Sequence, residues 1–136
     1  MEPINIRSSG RALAYWITTT AAAIAFAVPG VGDITRAPHF AEDMARLGYP
    51  PFFILILGTW KLLGAAAILA PGLPRLKEWA YAGMIFDLTG AAVTRAFVGD
   101  GVVSVLIPLL ISVVVFSSWA LRPRARRLTQ PLKVAA

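Results

Sequence analysis

Four apolar stretches, each about as long as a helix that crosses a bilayer, constrain this chain more than any other feature. They occupy residues 12–31, 52–70, 79–98 and 102–121. A transmembrane helix needs roughly 20 apolar residues, and in lipid each stretch must be helical because unpaired backbone amides are costly there. Hydrophobic residues make up 57% of the chain, more than a soluble domain of this size buries. The sequence therefore predicts an all-α fold, a transmembrane four-helix bundle that forms a single membrane domain over residues 1–136.

The segment between the first two stretches predicts a short amphipathic helix at residues 37–47. Pro38 suits the first turn of a helix, and the apolar residues Phe40, Met44 and Leu47 recur at the helical spacing i, i+4, i+7. Such a helix would lie at the membrane surface. It would either close the bundle as a simple lid or act as a gate over a substrate entrance.

Most basic residues lie between or beyond the apolar stretches, and they predict the topology. Arg11 precedes the first stretch, Arg75 and Lys77 separate the second from the third, and a basic tail at residues 122–136 follows the fourth. With four spans these segments share one side, which the positive-inside rule makes the cytoplasm. We therefore predict a multi-pass protein of the cell inner membrane with both termini cytoplasmic.

Aromatic residues near the ends of the stretches support the same orientation. They are predicted to form a belt at the cytoplasmic interface. The belt consists of Tyr15, Trp16, Trp79, Tyr81 and Trp119. An alternative for the first stretch is a cleaved signal peptide, because residues 25–27 (AFA) resemble a signal peptidase site.

The composition excludes several classes of function. The net charge of +6 comes from basic residues that lie mostly between or beyond the apolar stretches, where they act as topology signals. Basic and aromatic residues do not interleave on a soluble face, so no nucleic acid partner is expected. The absence of cysteine excludes disulfides, thiol relays and iron–sulfur ligation. His39 is the only histidine and lacks a carboxylate cluster, so we predict no metal site and no covalent cofactor.

Two charged residues lie near the centres of apolar stretches, where burial of a charge is expensive. Lys61 lies in the second stretch, flanked by Gly58 and Gly64, which permit close approach of another helix. Asp87 lies in the third stretch and is the predicted partner of Lys61, because an opposite charge stabilises both ionised forms. The two form either a buried ion pair that fixes helix register or a polar site for a ligand head group or proton transfer.

One helical stripe joins Asp87 to Thr94 and Arg95 by the spacing i, i+7, i+8. Asp33 and Asp100 are both expected to reach Arg95 near the outer surface, where the arginine is either an interface anchor or part of the site. The predicted ligand-binding residues are Lys61, Asp87, Thr94 and Arg95. Asp87 as a base and neutral Lys61 as a nucleophile are chemically possible, but no second carboxylate or histidine lies at that depth, so enzymatic activity is left open.

Three motifs carry a family resemblance. They are LGYP at residues 47–50, LGTWKLLG at residues 57–64 and LKEWAYAGMIFD at residues 76–87. With Pro71 closing the second stretch, the sequence from about Trp16 to Leu121 resembles the DoxX-like family of small four-helix integral membrane proteins.

The resemblance implies contact with a quinone, because the family takes its name from a subunit similar to those of a thiosulfate:quinone oxidoreductase. A distant eukaryotic branch resembles receptor-assembly chaperones. The expected function is therefore binding of a lipophilic ligand such as a quinone at the polar site, in an accessory or redox-associated role. The alternatives are a small membrane enzyme or quinone-linked oxidoreductase subunit, and an assembly partner for another membrane protein. The expected partners are membrane lipid and a lipophilic small molecule, with a homo-oligomer or a membrane-protein partner also open.

Overall fold

A computed structural model describes residues 6–128, and all regular secondary structure in that range is helical. The all-α prediction is therefore confirmed for these residues. The α-helices are α1 (Ile6–Ile34), α2 (Pro38–Arg46), α3 (Phe53–Leu69), α4 (Pro74–Phe97) and α5 (Val102–Leu121), followed by a 3-10 turn at Arg124–Arg126.

The four long helices pack around a common core. α1 packs against α3 and α5, and α4 packs against the same two helices, so the four close into a ring. The buried side chains between them include Ala22, Phe26, Ile68, Met84 and Val115. These side chains form one continuous apolar core between the four helices.

The short helix predicted at residues 37–47 is observed as α2, and its ends have local causes. Pro38 stands in its first turn, where the missing N–H leaves no hydrogen bond unmade. Gly48, with φ +84°, follows its end, a conformation that glycine adopts without strain. The Phe40 ring lies so close to Gly32 of α1 that a Cβ atom there would overlap it. α2 is therefore anchored on the end of α1.

Two helices are long and apolar enough to cross a membrane. They are Ser9–Ile34 within α1 and Val102–Leu121, which is α5. α3 is apolar but has 17 residues, at the lower limit of about 17 to 25 residues for a span, and α4 carries charged side chains such as Asp87 and Arg95. The four-span arrangement therefore stays a prediction.

At the end of the bundle opposite α2, basic side chains bind the carbonyl oxygens at the end of α3. The Nζ atom of Lys77 is fully buried and donates hydrogen bonds to the carbonyl oxygens of Ala67, at 2.7 Å, and Ala70. Arg126 also lies within hydrogen-bond distance of the Ala70 carbonyl. These cations satisfy carbonyl groups that the end of α3 leaves without helical partners. Burial, and then the charges of Arg126 and Arg122, lower the pKa of Lys77.

An ion pair at the same end of the bundle ties the chain after α5 to α4. Arg122 is 3% exposed and donates to Glu78 at 2.5 Å, and the indole of Trp119 donates to the same carboxylate at 2.8 Å. Tyr15 and Tyr81 are buried at this end, so the predicted aromatic belt is wrong for these two residues, whose hydroxyls find partners inside the bundle. The rest of the predicted basic tail, with Lys133, lies outside the described residues.

Candidate functional site

The candidate site lies where α1 and α3 approach most closely. A Cβ atom at Gly58 of α3 would lie 2.8 Å from the Cβ of Asp33 and 2.9 Å from the carbonyl oxygen of Gly30, both on α1. A Cβ at Gly30 would in turn lie 3.1 Å from the Cβ of Lys61. The close approach predicted from Gly58 is confirmed, and it is directed at α1. The two glycines thus bring Lys61 beside the last turns of α1.

The ion-pair partner of Lys61 is Asp33, not Asp87. The Nζ atom of Lys61 lies 2.7 Å from Oδ2 of Asp33, and the side chains are 17% and 2% exposed. The predicted Lys61–Asp87 pairing is therefore wrong, and so is the expectation that Asp33 reaches Arg95. The reason is that α1 continues to Ile34 alongside α3, so Asp33 lies level with Gly58, about one helical turn from Lys61.

Asp87 lies near this pair without joining it. Among the residues that the structure describes, no side chain or backbone group donates a hydrogen bond to the Asp87 carboxylate, and Lys61 is beyond ion-pair distance. Yet Asp87 and Lys61 together line the same cavities. We call Asp33, Lys61 and Asp87 the central polar site.

Three cavities meet at the central polar site. An apolar one of about 440 Å³ lies between α3 and α4, with Trp60, Trp79 and Met84 in its wall. A second, of about 340 Å³, reaches Pro108 of α5, and a third, of about 370 Å³, opens toward α2. The site therefore combines three charged groups with an apolar chamber, the combination typical of small-molecule pockets.

Four charged residues form a cluster at the α2 end of two of these cavities, and we call them the outer ion cluster. Arg95 of α4 contacts Asp43 of α2 at 2.5 Å and Asp100 at 3.0 Å, and Arg46 of α2 contacts the same two carboxylates. The expected contact between Asp100 and Arg95 is confirmed. Arg95 lines the mouth of two cavities together with exposed His39, so it is an ion-pair anchor at the cavity entrance.

Thr94 is held by different partners. Its hydroxyl lies 2.8 Å from the Tyr49 hydroxyl and donates to the Gly90 carbonyl oxygen at 2.9 Å. Tyr49 and Gly90 line the cavity that opens toward α2. Thr94 therefore supports the wall of that cavity through Tyr49.

The outer ion cluster makes stability depend on pH in a defined direction. The hydrogen bond from Arg46, joined by one from Arg95, holds the pKa of Asp100 below its ordinary value. Burial alone would raise the pKa of Asp43, but hydrogen bonds from Arg46 and Arg95 bring it below its ordinary value. A lowered pKa in the folded state gives stabilisation that is present above the ordinary value, about 4, and is lost as the pH falls through the folded pKa.

We therefore expect the thermal unfolding midpoint to fall as the pH is lowered from about 5 to about 3. The Asp43→Asn/Asp100→Asn double variant should show a flatter profile over the same range, with a lower midpoint at neutral pH. Tryptophan fluorescence during heating of the detergent-solubilised protein measures both curves. Parallel curves for the two proteins would contradict this role of the cluster.

The site residues that the sequence analysis missed have one property in common. Their positions depend on how far one helix extends alongside its neighbour. The sequence predicts a contact of Asp33 with Arg95 instead of Lys61, and it gives His39 and Asp43 of the amphipathic segment no role in a site. The signal available for Asp33 was the small-residue series at Gly30, Gly32 and Gly58, which favours a close crossing of α1 and α3.

Comparison with known proteins decides the family. A model of the DoxX-like family matches residues 17–118, which takes in α2, α3 and α4 entirely and most of α1 and α5. The chain belongs to the DoxX-like family. No curated protein and no solved structure gives a significant match. As a DoxX-like protein with two helices able to cross a bilayer, it is a membrane protein, and the central polar site lies within the matched region.

Proposed function

We propose that α1, α3, α4 and α5 form a transmembrane four-helix bundle in the cell inner membrane, with both termini cytoplasmic. The distribution of side chains supports this placement. Large apolar residues point outward on all four helices, among them Trp60, Phe86 and Leu110, which are 68%, 76% and 64% exposed. The charged groups of the central polar site point inward. Apolar exterior and charged interior are the arrangement expected in lipid.

Within this bundle, we propose that the protein binds a lipophilic ligand such as a quinone, in an accessory or redox-associated role. This proposal rests mainly on the Asp87 carboxylate. It accepts no hydrogen bond from a described residue, and it lines cavities together with Lys61. A ligand that donates to Asp87 or accepts from Lys61 would satisfy these groups, since unmatched polar groups in an apolar setting are costly. Its apolar part would occupy the cavity beside Trp60, Trp79 and Met84.

The first experiment removes the charge of Asp87. The Asp87→Asn protein and the wild type are extracted from membranes in detergent, and bound molecules are taken into organic solvent and identified by mass spectrometry. We expect a quinone or another isoprenoid-like lipid from the wild type and at least a tenfold lower amount from Asp87→Asn. Glu42→Gln is the matched control, because Glu42 is exposed on α2 and lines none of the three cavities. Equal amounts of extracted ligand from all three proteins would contradict the assignment of Asp87 to the ligand site.

A second experiment fills the apolar cavity without touching its charges. Gly83 lines this cavity, and a Cβ atom there would meet nothing within 4 Å, so Gly83→Leu should occupy the cavity and exclude the ligand while the fold persists. Gly10→Leu on α1 is the control, because Gly10 also has open space beside it and lies outside the three cavities. Ligand retained by Gly83→Leu would contradict the proposed position of the apolar part. A stable protein partner with no extractable ligand would instead favour the assembly role.

A further inference from the structure

A fourth cavity lies at the other end of the bundle, away from the central polar site. It has a volume of about 350 Å³ and lies between the start of α1 and the chain that follows α5. Its lining includes four arginines together with Ala12 and Leu121. The arginines are Arg11, Arg122, Arg124 and Arg127. We call this space the arginine cavity.

The guanidinium groups of the arginine cavity converge without a matching number of acids. Arg11 and Arg127 both donate to the carbonyl oxygen of Ala120, at 3.3 Å and 2.9 Å. Two positive charges therefore share one neutral acceptor. Within residues 6–128, the ion pair from this cavity to a carboxylate is the one between Arg122 and Glu78. Like charges repel each other, and an anion bound between them would offset that repulsion.

The donors of these side chains also exceed the acceptors that the protein provides. A guanidinium carries five N–H donors. Arg127 uses its Nε on the Arg122 carbonyl oxygen, at 2.7 Å, and one further nitrogen on Ala120, whereas the exposed side chain of Arg124 makes no hydrogen bond to a described residue. The lining of the cavity therefore carries several positively charged donors that have no partner among the described residues.

We propose that the arginine cavity binds the phosphate group of an anionic membrane lipid. A phosphate presents several charged acceptor oxygens, which guanidinium groups bind with matched geometry. The cavity wall is apolar at Ala12 and Leu121, and Trp16 and Trp119 are exposed nearby on the outer face of α1 and α5. These residues favour a lipid, whose acyl chains would lie along the bundle, over a free phosphate ion. Basic cavities between helices on the cytoplasmic side suit anionic head groups.

This inference rests on the proposed membrane placement but not on the ligand of the central polar site. The test uses the full chain in a zwitterionic detergent, titrated with phosphatidylglycerol or with phosphatidylcholine of the same acyl chains. Native mass spectrometry measures the bound lipid. We expect saturable binding of phosphatidylglycerol and none of comparable affinity for phosphatidylcholine.

Variants locate the site. Each arginine near a lipid phosphate contributes roughly a fivefold change in affinity, so Arg11→Gln/Arg127→Gln should bind phosphatidylglycerol roughly 25-fold more weakly. Arg75→Gln is the matched control, because Arg75 is exposed at the same end of the bundle and lies outside the cavity; it should keep wild-type affinity. Where the double variant unfolds, Arg124→Gln replaces it, since this side chain has no described partner to lose, and a roughly fivefold weakening is expected.

Each contrary result has a distinct meaning. If Arg75→Gln weakened phosphatidylglycerol binding as much as the double variant does, diffuse surface charge rather than the arginine cavity would account for the binding. Unchanged binding by the double variant would also show that the arginine cavity is not the site. Inorganic phosphate that binds as tightly as phosphatidylglycerol would overturn the assignment to a lipid. The Asp87→Asn protein should bind phosphatidylglycerol like the wild type, so loss of the ligand at the central polar site leaves this result unaffected.

Discussion

Asp33→Asn should destabilise the protein by about 3 kcal/mol, because it leaves the Lys61 ammonium without its counter-charge inside the bundle. Asp33 is 2% exposed and lies 2.7 Å from Lys61, so the substitution removes charge but hardly changes volume. We place the effect at the lower end of the range for broken buried pairs because Asp87 lies across the shared cavity and offsets part of the loss. Thermal unfolding followed by tryptophan fluorescence in detergent measures the change.

The double variant Asp33→Asn/Lys61→Met distinguishes a broken ion pair from a local packing defect. Removing both charges should restore much of the stability that either single change loses, since the remaining groups are neutral. The control is Asp100→Asn, whose partners Arg46 and Arg95 are 49% and 24% exposed, and which should have a smaller effect because water screens these pairs. A double variant less stable than both single variants would contradict the pairing of Lys61 with Asp33.

Gly58→Ala should cost about 1 to 3 kcal/mol, the usual penalty for overpacking. The added methyl group would meet the Cβ of Asp33 at 2.8 Å and the backbone oxygen of Gly30 at 2.9 Å. A backbone atom cannot rotate away as a side chain can, so α1 and α3 must separate. Separation also lengthens the contact between Lys61 and Asp33, which adds to the loss.

The control for this substitution is Gly83→Ala on α4. A Cβ atom at Gly83 meets nothing within 4 Å, and alanine is the better helix former, so this variant should be as stable as the wild type or more stable. Unfolding midpoints of the two variants, measured side by side in one detergent, decide the question. Equal midpoints would mean that α1 and α3 do not need close approach at Gly58.

The helices of this protein could be predicted from its sequence because each depends on local signals. Apolar runs of suitable length gave the four long helices, and Pro38 marked the start of α2. The partner of Lys61 could not be predicted in the same way. It depends on how far α1 extends beside α3, and a hydropathy pattern gives the centre of a helix better than its vertical offset from a neighbour.

The basic residues show the same limit in another form. Lys77 lies between two apolar stretches and Arg122 follows the last one, as topology signals do, yet both are buried and bonded to the bundle. A buried lysine and a solvated one have the same sequence signature, because the difference lies in the carbonyl groups that a distant helix end presents. Tyr15 and Tyr81 follow the same rule, since aromatic residues near a helix end suit either an interface or a polar core.

α2 is attached to α1 by an apolar contact and to α4 by ion pairs. The two attachments at the entrance of the cavities therefore respond differently to ionic strength. The contact of Phe40 with Gly32 is apolar and is not screened by ions. The ion pairs of Arg46 and Arg95 with Asp43 and Asp100 are partly exposed to water and weaken as ionic strength rises. Concentrated salt should therefore loosen α2 on its α4 side alone. The helix would then keep its contact with Gly32 through Phe40 and move away from α4, where its ion pairs are weakened.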